Sequence, residues 1–520
     1  MEIKVAQQNH SSGLPNGILG TGDIIFMILA CAAPMGVLGG VIPLAFAFGN
    51  GVGTPGTLLL VCTVMLLFAV GYVRMIPHVR NAGAFYAYIA ASMGKEVGIA
   101  AAYVAIISYV CAATSTLGAM AFFSSELVSQ AFGVTTRWEI WAALGVALVA
   151  YLGYRKITLT AKVLAILLIL EVAVILVLDI QIVWAAGLNG LDFSSFSPSK
   201  IWAPGLGISL IYAISGCVGF EATAIYREEA RNSLVTVPRA TYGSILILGT
   251  FYVFSSWCLV LAASPSKLQA IAAVDPGGLL INVGQRHLGE LGRHAINLLV
   301  VTSLFAASLG FSNNISRYIF ALARDGLISP VFGKVHKHHG SPYIACLLLT
   351  AIFVVVIGAY AIAGLDPLLH LTASLSSMGA VGLMCLLTVT SFAAAIFFAK
   401  RGEFSISKTA APLIAGLFLA VGTGLALLNY KALTSTESVV INNLPYLFLL
   451  VICFGCLHGR WLKAKRPAIF ARVGSTRVEE EGAHSLSGQP GLSGIGGSKS
   501  GNGGPISIAS GADVLQARRP

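Results

Sequence analysis

Glu221 and Glu171 are acidic residues inside long apolar stretches of this 520-residue chain. Glu221 stands just after a cluster of small residues, and Glu171 lies near the middle of the apolar stretch 159–184. An ionised carboxylate at the centre of a bilayer costs about 2.5–3.5 kcal/mol on insertion scales. Such a group either pairs with a cation or takes up a proton, because burial disfavours its charged form. Both residues are therefore candidates for binding a proton or a positively charged group.

The segment around Glu221 predicts a helix that is interrupted about halfway along. The apolar run that begins at residue 210 reaches Ser215, Gly216 and Gly219, which weaken the helix there. In lipid, an interrupted helix is tolerated only where it is buried in protein or lines a wet cavity. Close packing of small residues against a neighbouring helix is the other interpretation. Glu221 and a second interrupted helix favour a binding site.

The second interruption is predicted in the first apolar stretch, residues 18–48. Pro34 removes a backbone hydrogen bond in the middle of this stretch, and Gly36 follows two residues later. The broken halves expose helix ends at mid-depth in the membrane. An N-terminal end suits a carboxylate, and the carbonyls of a C-terminal end suit an ammonium group. A site that offers both ends matches a zwitterion such as an amino acid.

Residues from both interruptions are expected to surround this substrate, together with one tyrosine. Tyr103 and Tyr109 of the third helix can each supply a hydroxyl, although ordinary packing with a locally satisfied hydroxyl is the more common role of such residues. The predicted substrate-binding residues are Ala33, Pro34, Met35, Gly36, Tyr103, Ala213, Ser215, Gly216 and Gly219.

Composition places these residues in a membrane protein. Hydrophobic residues make up 56% of the chain and charged residues only 10%, against about 25% charged residues in soluble domains. The apolar runs are long enough to span a bilayer core of roughly 30 Å. We therefore predict an all-α integral membrane protein with 12 transmembrane helices. The sixth is the interrupted segment from residue 210, and the others are expected at about 18–48, 55–73, 95–128, 138–153, 159–184, 238–262, 295–322, 344–363, 367–398, 413–428 and 444–461.

Composition also argues against several other classes of protein. The net charge of +11 is spread over short loops rather than gathered into a patch for nucleic acid. Cysteines lie inside the apolar runs, where a disulfide framework is not expected. The sequence has no HExxH or GxSxG motif and no repeated pore loop, so neither an enzyme nor a channel is indicated. We expect no cofactor and no metal site, and the oligomeric state stays open.

The loops on one side of the predicted membrane carry most of the lysines and arginines. Short cytoplasmic loops carry this excess, so both termini are expected in the cytoplasm and the membrane is expected to be the cytoplasmic one. Opposite charges on these loops can close the inner pathway and separate during each cycle; solvated pairs of little energetic weight are the alternative. The expected inner gate consists of Glu228, Glu229 and Arg231 on one loop and of Arg74, Arg80 and Arg324 on the loops opposite.

The chain divides into three parts by composition. Residues 1–16 form a polar N-terminal segment, and residues 17–467 hold the membrane helices. Residues 468–520 form a Gly/Ser-rich tail that cannot bury enough apolar surface to offset its ordering entropy, so we predict a disordered cytoplasmic tail. Within the membrane part, the positions of the two interruptions predict an inverted repeat. Its halves are expected at about 17–186 and 204–399, followed by helices 11 and 12 at about 410–462.

Three local motifs resemble those of one transporter superfamily. The stretch 219–239 carries Gly-Phe-Glu, then an acidic pair, a short polar loop and Pro-Arg; residues 77–86 form a Pro-containing loop that ends in Gly-Ala-Phe-Tyr; and Ala-Arg-Asp-Gly stands at 323–326. In these features the chain resembles a bacterial amino acid permease of the amino acid–polyamine–organocation superfamily, over about residues 14–467. The family usually has a glycine–small–glycine motif at the first interruption, where this chain has Ala33-Pro34-Met35-Gly36.

The resemblance implies a leucine-transporter-type fold with helices 1 and 6 broken at mid-membrane. It implies a secondary active transporter that moves amino acids by alternating access. The buried Glu171 predicts coupling to protons, with sodium as the coupling ion left open. A polyamine or other organic-cation transporter and an amino acid exchanger are the alternatives. By analogy with the family, Phe220 and Ile214 are candidate gating residues, together with Glu221. Ser308 and Ser312 lie where sodium-coupled relatives place cation-ligating hydroxyls, although such residues more often bond within their own helix.

Glu171 is the predicted site of proton coupling. Proton-coupled members of the superfamily carry a lysine on the fifth helix, and Glu171 falls at or near that position. A permanently protonated Glu171 bonded to a neighbouring helix is the alternative.

Overall fold

The computed structural model describes residues 14, 17–79, 81, 83–155, 157–434 and 438–474. The predicted N-terminal segment, except for Leu14, and the predicted tail from residue 475 onward lie outside this range, as does Arg80 of the expected inner gate. Within the described residues the structure is helical and contains no strand.

Among the described residues, eleven helices are long and apolar enough to cross a membrane, and the predicted fourth helix is shorter, with 17 residues. The prediction of a helical membrane protein is therefore confirmed, and the count of long spans is one lower than predicted. In chain order the helices are α1 Thr21–Phe48, α2 Gly51–Met75, α3 Lys95–Phe132, α4 Trp138–Tyr154, α5 Ile157–Ala186, α6 Leu206–Arg227, α7 Ser233–Ala263, α8 Leu279–Arg324, α9 Tyr343–Ile362, α10 Pro367–Ala399, α11 Ile406–Leu428 and α12 Tyr446–Lys465.

The interruption of helix α1 ends at the residue before Pro34. Its first half ends at Cys31, and Ala32 and Ala33 interrupt the helix. Ala33 adopts a left-handed conformation with φ of +48°, which is uncommon for a residue with a side chain. The second half restarts at Pro34, which suits the first position of a helix because its missing N–H needs no partner there.

Helix α6 is interrupted at a glycine. Its first half ends at Cys217, and Gly219 has a φ of +127°, which L-residues with side chains rarely adopt. The second half does not return to an α-helix. Residues Phe220–Arg227 instead form 3-10 turns, which are tighter than α-helical turns and mark sequences under local constraint.

The structure differs from the sequence-based boundaries in several places. The first residues of the predicted disordered tail are helical, in the short helix Pro467–Arg472. Helix α7 begins at Ser233, so Pro238 lies inside its second turn instead of opening it. The stretch between the predicted helices 238–262 and 295–322 contains the helix Leu268–Val274 and the first turns of α8, which is kinked at Gly289 with a φ of +68°. The loop after α2 is followed by a short helix, Phe85–Met93, that was not predicted.

The two interrupted helices lie among the most enclosed parts of the molecule. Helix α6 is largely buried, whereas α9 and α12 are mostly exposed. Helix α2 packs on α7, α3 packs on α8, and α4 packs on α9. Helix α1 also packs on α7, and the first half of α6 packs on α2, so the breaks are surrounded by helices on several sides.

Candidate functional site

The break in α6 is held by the side chain that follows it. One carboxylate oxygen of Glu221 accepts the backbone N–H of Gly219 at 2.7 Å, and the other accepts the hydroxyl of Tyr109 on α3 at 3.0 Å. The hydroxyl of Tyr72 on α2 donates to the Glu221 carbonyl at 2.6 Å. Glu221 has no exposed surface. These bonds satisfy a buried acid without a cation and fix the shape of the break.

The break in α1 is held by residues of other helices. Asn314 of α8 lies with its side-chain nitrogen 3.7 Å from the Cys31 sulfur, and its oxygen accepts the Tyr226 hydroxyl at 2.6 Å. The Tyr252 hydroxyl of α7 donates to the Ala32 carbonyl at 3.4 Å. The geometry of this break therefore depends on how α6, α7 and α8 sit around it.

Glu171 of α5 lies at the same break. Its carboxyl group is beside the backbone N–H of Met35 and the hydroxyl of Ser303 on α8. Only 2% of the residue is exposed, and its Oε2 atom has no hydrogen-bond partner among the described residues. A buried polar atom without a partner is costly and needs an explanation. At this position it is available to a proton or to a bound ligand.

The two breaks face each other. A Cβ atom built on Gly219 would lie 4.0 Å from the Ala32 nitrogen, and one built on Gly216 would lie 3.1 Å from the Val37 side chain. The second halves of α1 and α6 present their N-terminal ends at the breaks, and the first halves present their C-terminal carbonyls. The arrangement thus offers partial positive and partial negative charge side by side.

Two ion pairs lie at the ends of α6 and α8. Glu229 accepts two hydrogen bonds from Arg317, at 2.5 and 3.1 Å, and both side chains are almost fully buried. Glu228 accepts two from Arg324, at 2.8 and 2.6 Å. Bidentate pairs of this kind are strong and fix orientation. Together they join the loop after α6 to helix α8.

A second cluster at this level joins three loops around Asp325. Its carboxylate accepts the Tyr86 hydroxyl at 2.7 Å and the Asn81 amide at 3.2 Å. It also accepts the backbone N–H of Gly474, close to the end of the described chain, at 2.9 Å. The 77–86 and 323–326 motifs of the sequence therefore meet at one buried carboxylate.

Comparison with known proteins settles the family. Residues 20–465 match the family "Amino acid permease". The chain belongs to this family. It is accordingly a transporter rather than an enzyme, and a multi-pass membrane protein.

Several relatives of this permease carry informative descriptions. The branched-chain amino acid permease BcaP of Lactococcus lactis subsp. cremoris is 26% identical over 334 residues, which span 60% of this chain and 69% of that protein. The low-affinity putrescine importer PlaP of Escherichia coli is 22% identical over 354 residues, 64% of this chain and 73% of that protein. A solved structure of a Na+-coupled sialic acid symporter aligns with a TM-score of 0.49 and 13% identity, over 79% of this chain and 90% of that one.

Most of the residues predicted to bind substrate lie at the two breaks of the permease. Residues 33–36 form the break and the following turn of α1, while Ala213, Ser215 and Gly216 lie in the last turns before the break in α6. The Ser215 hydroxyl donates to the Ile211 carbonyl of its own helix at 2.8 Å. Its side chain is therefore already partnered within α6.

Two predicted site residues point elsewhere. The Tyr103 hydroxyl lies 2.7 Å from the Nδ1 atom of His458, so this tyrosine packs against α12 and does not join the breaks. Tyr109, the other candidate on α3, reaches Glu221 instead. Ile214 lies against Gly422 of α11 rather than facing the break in α1. The directions of Tyr103 and Ile214 depend on how α3 and α6 are rotated about their own axes, which hydropathy alone does not determine.

The remaining candidates are placed as follows. Phe220 is buried with its ring 5.6 Å from that of Phe68 on α2, in an edge-to-face arrangement. Ser308 donates to the Leu304 carbonyl at 2.8 Å and contacts the Thr116 hydroxyl, and Ser312 donates to the Ser308 carbonyl. The two serines thus bond within α8 and to α3.

Sequence reasoning missed two functional candidates of the permease. Arg317 was not among the residues predicted for the inner gate, although it is the partner of Glu229. Arg324, one of the three arginines expected opposite the acidic pair, binds Glu228. Asp179 lies eight residues after Glu171 on α5, is buried, and accepts the Ser255 hydroxyl of α7 at 2.6 Å. A second acid within one predicted span was the signal that could have revealed it.

Proposed function

We propose that this permease is a secondary active transporter that moves amino acids across the cytoplasmic membrane by alternating access. The observation that carries the proposal is the pair of facing breaks, where helix N-termini and C-terminal carbonyls meet at the centre of the bundle. N-terminal ends bind carboxylates and C-terminal carbonyls bind ammonium groups. A free amino acid carries both groups on one carbon. The description of the Lactococcus lactis relative as a branched-chain amino acid permease supports this substrate class.

We further propose that α1–α5 and α6–α10 form an inverted repeat. The contact pattern supports this pairing of helices. If α1 corresponds to α6 and so on, the contact of α5 with α8 has its counterpart in that of α10 with α3, and the contact of α1 with α7 has its counterpart in that of α6 with α2. All four contacts are present, and α2–α7, α3–α8 and α4–α9 pair equivalent helices. Rocking of one set against the other would then expose the breaks to either side.

The basic loops support an orientation with both termini in the cytoplasm. The ends of α2, α4, α6, α8, α10 and α12 lie on the side that carries most of the lysines and arginines. In this orientation the Glu228–Arg324 and Glu229–Arg317 pairs lie on the inner side. They close the inner pathway in the described conformation and must separate when substrate is released inward.

Uptake into liposomes of purified permease tests this function. Radiolabelled branched-chain amino acids should accumulate above the outside concentration under an inward proton gradient, with saturation and competition by unlabelled substrate. A channel would show only downhill flux. Failure of every proteinogenic amino acid to accumulate or to compete would refute the proposed substrate class.

A polyamine is the second candidate substrate, favoured by one observation. The unpartnered Oε2 atom of Glu171 lies at the break, and a carboxylate there suits a second ammonium group. The putrescine importer among the relatives supports the same class. The polyamine hypothesis would be rejected if putrescine competed only weakly with labelled leucine and was not itself accumulated. Liposomes preloaded with amino acid separate an exchanger from a symporter, because only exchange requires the internal substrate.

We also propose that protons drive accumulation and that Glu171 carries them. Two features support this role: its burial at the break in α1 and its incomplete hydrogen bonding. No lysine or arginine is paired with it among the described residues. Protonation would neutralise the group when the site faces one side, and release would restore its charge on the other.

A further inference from the structure

An open cleft of about 410 Å³ lies among the ends of α2, α7, α10 and α11. It is on the side of the basic loops, at the level where these helices leave the membrane. Its floor and walls include Leu234, Tyr242 and Phe398. The cleft is separate from the two helix breaks, so the transport site does not account for it.

The polar rim of the cleft is predominantly positive. Arg74, in the last turn of α2, and Lys408, at the start of α11, both line it. Arg401 lies next to the rim, with its guanidinium 2.9 Å from His78 Nδ1, while Glu403 pairs with Lys408 at 2.5 Å. Three permanent cations thus stand against one carboxylate among the described residues.

His78 adds a neutral polar group to this rim. Partial burial and the neighbouring Arg401 guanidinium lower the pKa of His78, so the ring is mainly neutral at pH 7. A neutral imidazole can donate one hydrogen bond and accept another. The rim therefore combines positive charge with a hydrogen-bonding side chain, which is the chemistry that binds a phosphate group.

Apolar side chains continue from the cleft along two helices towards the membrane centre. Leu246 on α7 is exposed four residues beyond Tyr242, and Ile414 and Leu417 on α11 are exposed six and nine residues beyond Lys408. At 1.5 Å per residue these positions lie about 6–14 Å deeper than the polar rim. A ligand that fills the whole feature must therefore have a polar, anionic head and apolar tails.

We propose that this cleft binds the headgroup of an anionic phospholipid of the inner leaflet, with its acyl chains along α7 and α11. Basic pockets between membrane helices on the cytoplasmic side are suited to such headgroups. Leaflet lipid is present at high concentration at this depth, whereas a soluble anion would gain nothing from the exposed apolar surface that lies deeper than the rim. The inference depends on the proposed orientation and is independent of the transported substrate.

Occupation of the cleft would brace the closed inner side. The cleft touches Ile76 and His78 just beyond α2 and Leu234 in the first turn of α7. Arg227 binds the backbone carbonyls of Ile76 and Val79, and it immediately precedes Glu228 and Glu229. A headgroup held between α2 and α7 would thus hold in place the segment that carries both ion pairs.

Native mass spectrometry of the purified full-length permease in neutral detergent tests the proposal. Phosphatidylglycerol, phosphatidylcholine and inorganic phosphate are titrated in separate arms. Wild-type protein should retain phosphatidylglycerol at least about tenfold more tightly than phosphatidylcholine, since each cation near the surface contributes roughly fivefold. The R74Q/K408Q variant should lose roughly 10- to 30-fold of this affinity. Arg74 is exposed and Lys408 about one-third exposed, so their replacement should leave folding intact.

Two further variants make the test specific. Lys465→Gln removes an exposed cation from the end of α12 at the same side and serves as the charge control; its phosphatidylglycerol affinity should stay within about twofold of wild type. Leu234→Trp fills the cleft while keeping its charges and should weaken binding like the double variant. Equal affinity in the double variant and wild type would overturn the proposal. So would equal losses in Lys465→Gln, which would indicate diffuse surface charge, or binding of inorganic phosphate as tightly as the lipid.

Discussion

The breaks in α1 and α6 differ in the residue that makes the turn and in the helix that supplies the neighbouring acid. In α6 the turn is made by Gly219, and the acid two residues later closes it: Glu221 accepts the Gly219 N–H and is fixed from outside by Tyr109. In α1 the turn is made by Ala33 in a left-handed conformation, and the acid beside it, Glu171, comes from another helix. The acid at the α6 break belongs to α6 itself, whereas the acid at the α1 break belongs to α5.

The two acids also differ in how completely their carboxylate oxygens are hydrogen-bonded. Both carboxylate oxygens of Glu221 are hydrogen-bonded, so the side chain is held in place at the break. One oxygen of Glu171 has no partner among the described residues. A fully bonded acid holds a shape, whereas an incompletely bonded acid can change its protonation at low structural cost. We therefore expect replacement of buried acids here to cost less stability as their bonding becomes less complete.

The largest effect is expected at Glu229, which is bonded to a buried cation. Glu229→Gln leaves Arg317 buried without a counter-charge, and breaking such a pair costs about 3–5 kcal/mol. The thermal midpoint of the purified protein should fall clearly, and cysteine probes on the inner side should become more accessible because the inward-open form gains population. The matched control is Glu139→Gln, which breaks an exposed pair with Arg137 and should cost no more than about 1 kcal/mol. Equal and small effects in both variants would show that the Glu229–Arg317 pair is not part of the gate.

The next effect concerns the space between the breaks. Gly216→Leu places its side chain against Val37 of α1, where even a Cβ atom would lie at 3.1 Å. Overpacking of this kind costs about 1–3 kcal/mol, and uptake should be lost although the protein still reaches the membrane. Gly36→Leu, with its nearest contact at 3.4 Å, should also abolish uptake but destabilise less. Gly358→Leu on α9, where a Cβ meets nothing within 4 Å, is the control and should transport normally. Normal uptake kinetics in both break variants would separate the breaks from the substrate site.

Replacement of Glu221 should have an intermediate effect on stability. In Glu221→Gln one of the two buried donors, the Gly219 N–H or the Tyr109 hydroxyl, loses its acceptor, at a cost of about 1–3 kcal/mol. Tyr109→Phe should cost less, about 0.5–1.5 kcal/mol, because it removes only one hydrogen bond. Both are measured as losses of thermal midpoint together with uptake. Tyr103→Phe, whose partner is His458 on α12, should leave uptake unchanged. A stronger loss of uptake in Tyr103→Phe than in Tyr109→Phe would reverse our assignment of the two tyrosines.

The sequence predicted the breaks because Pro34 and Gly219 act on the backbone locally. It did not predict that Phe220–Arg227 forms 3-10 turns, since that shape depends on the hydrogen bond that the Gly219 N–H donates to Glu221 and on packing by α2 and α3. The helix Leu279–Arg324 begins earlier than its apolar run because its first turns lie outside the predicted membrane span, where hydropathy carries no signal. Elements fixed by local chemistry were thus predictable, and those fixed by distant partners were not.

The same distinction applies to the candidate site. Residues 33–36 were predicted as site residues by position, together with Ala213, Ser215, Gly216 and Gly219, and all of these lie at or next to the breaks. The directions of Tyr103 and Ile214 depend on the rotation of α3 and α6, which a uniformly apolar helix does not reveal. The partner of Glu229 could not be deduced either, because three arginines were close to it by topology. Only the tertiary arrangement selects Arg317.

The smallest loss of stability is expected at Glu171, where the functional effect should be the most specific. Glu171→Gln keeps the shape of the side chain and leaves no buried charge behind, so the thermal midpoint should change by less than the shift in Glu221→Gln. Wild-type accumulation should rise as the external pH falls below the internal pH, because inward proton movement then drives uptake. The variant cannot bind and release a proton at this position, so it should lose this pH dependence while still exchanging internal for external substrate.

The paired measurements separate coupling from structure. A merely structural Glu171 would lower exchange and accumulation together, whereas a coupling residue lowers accumulation alone. If the variant concentrates substrate with the wild-type pH dependence, the proton binds elsewhere. Asp179 is then the next residue to replace, because it is buried on the same helix about 12 Å from Glu171 along the axis. The Ser255 hydroxyl donates to one Asp179 oxygen, and the Cys258 thiol is a second hydrogen-bonding neighbour of this carboxyl group. The proton site would then be sought two turns further along α5.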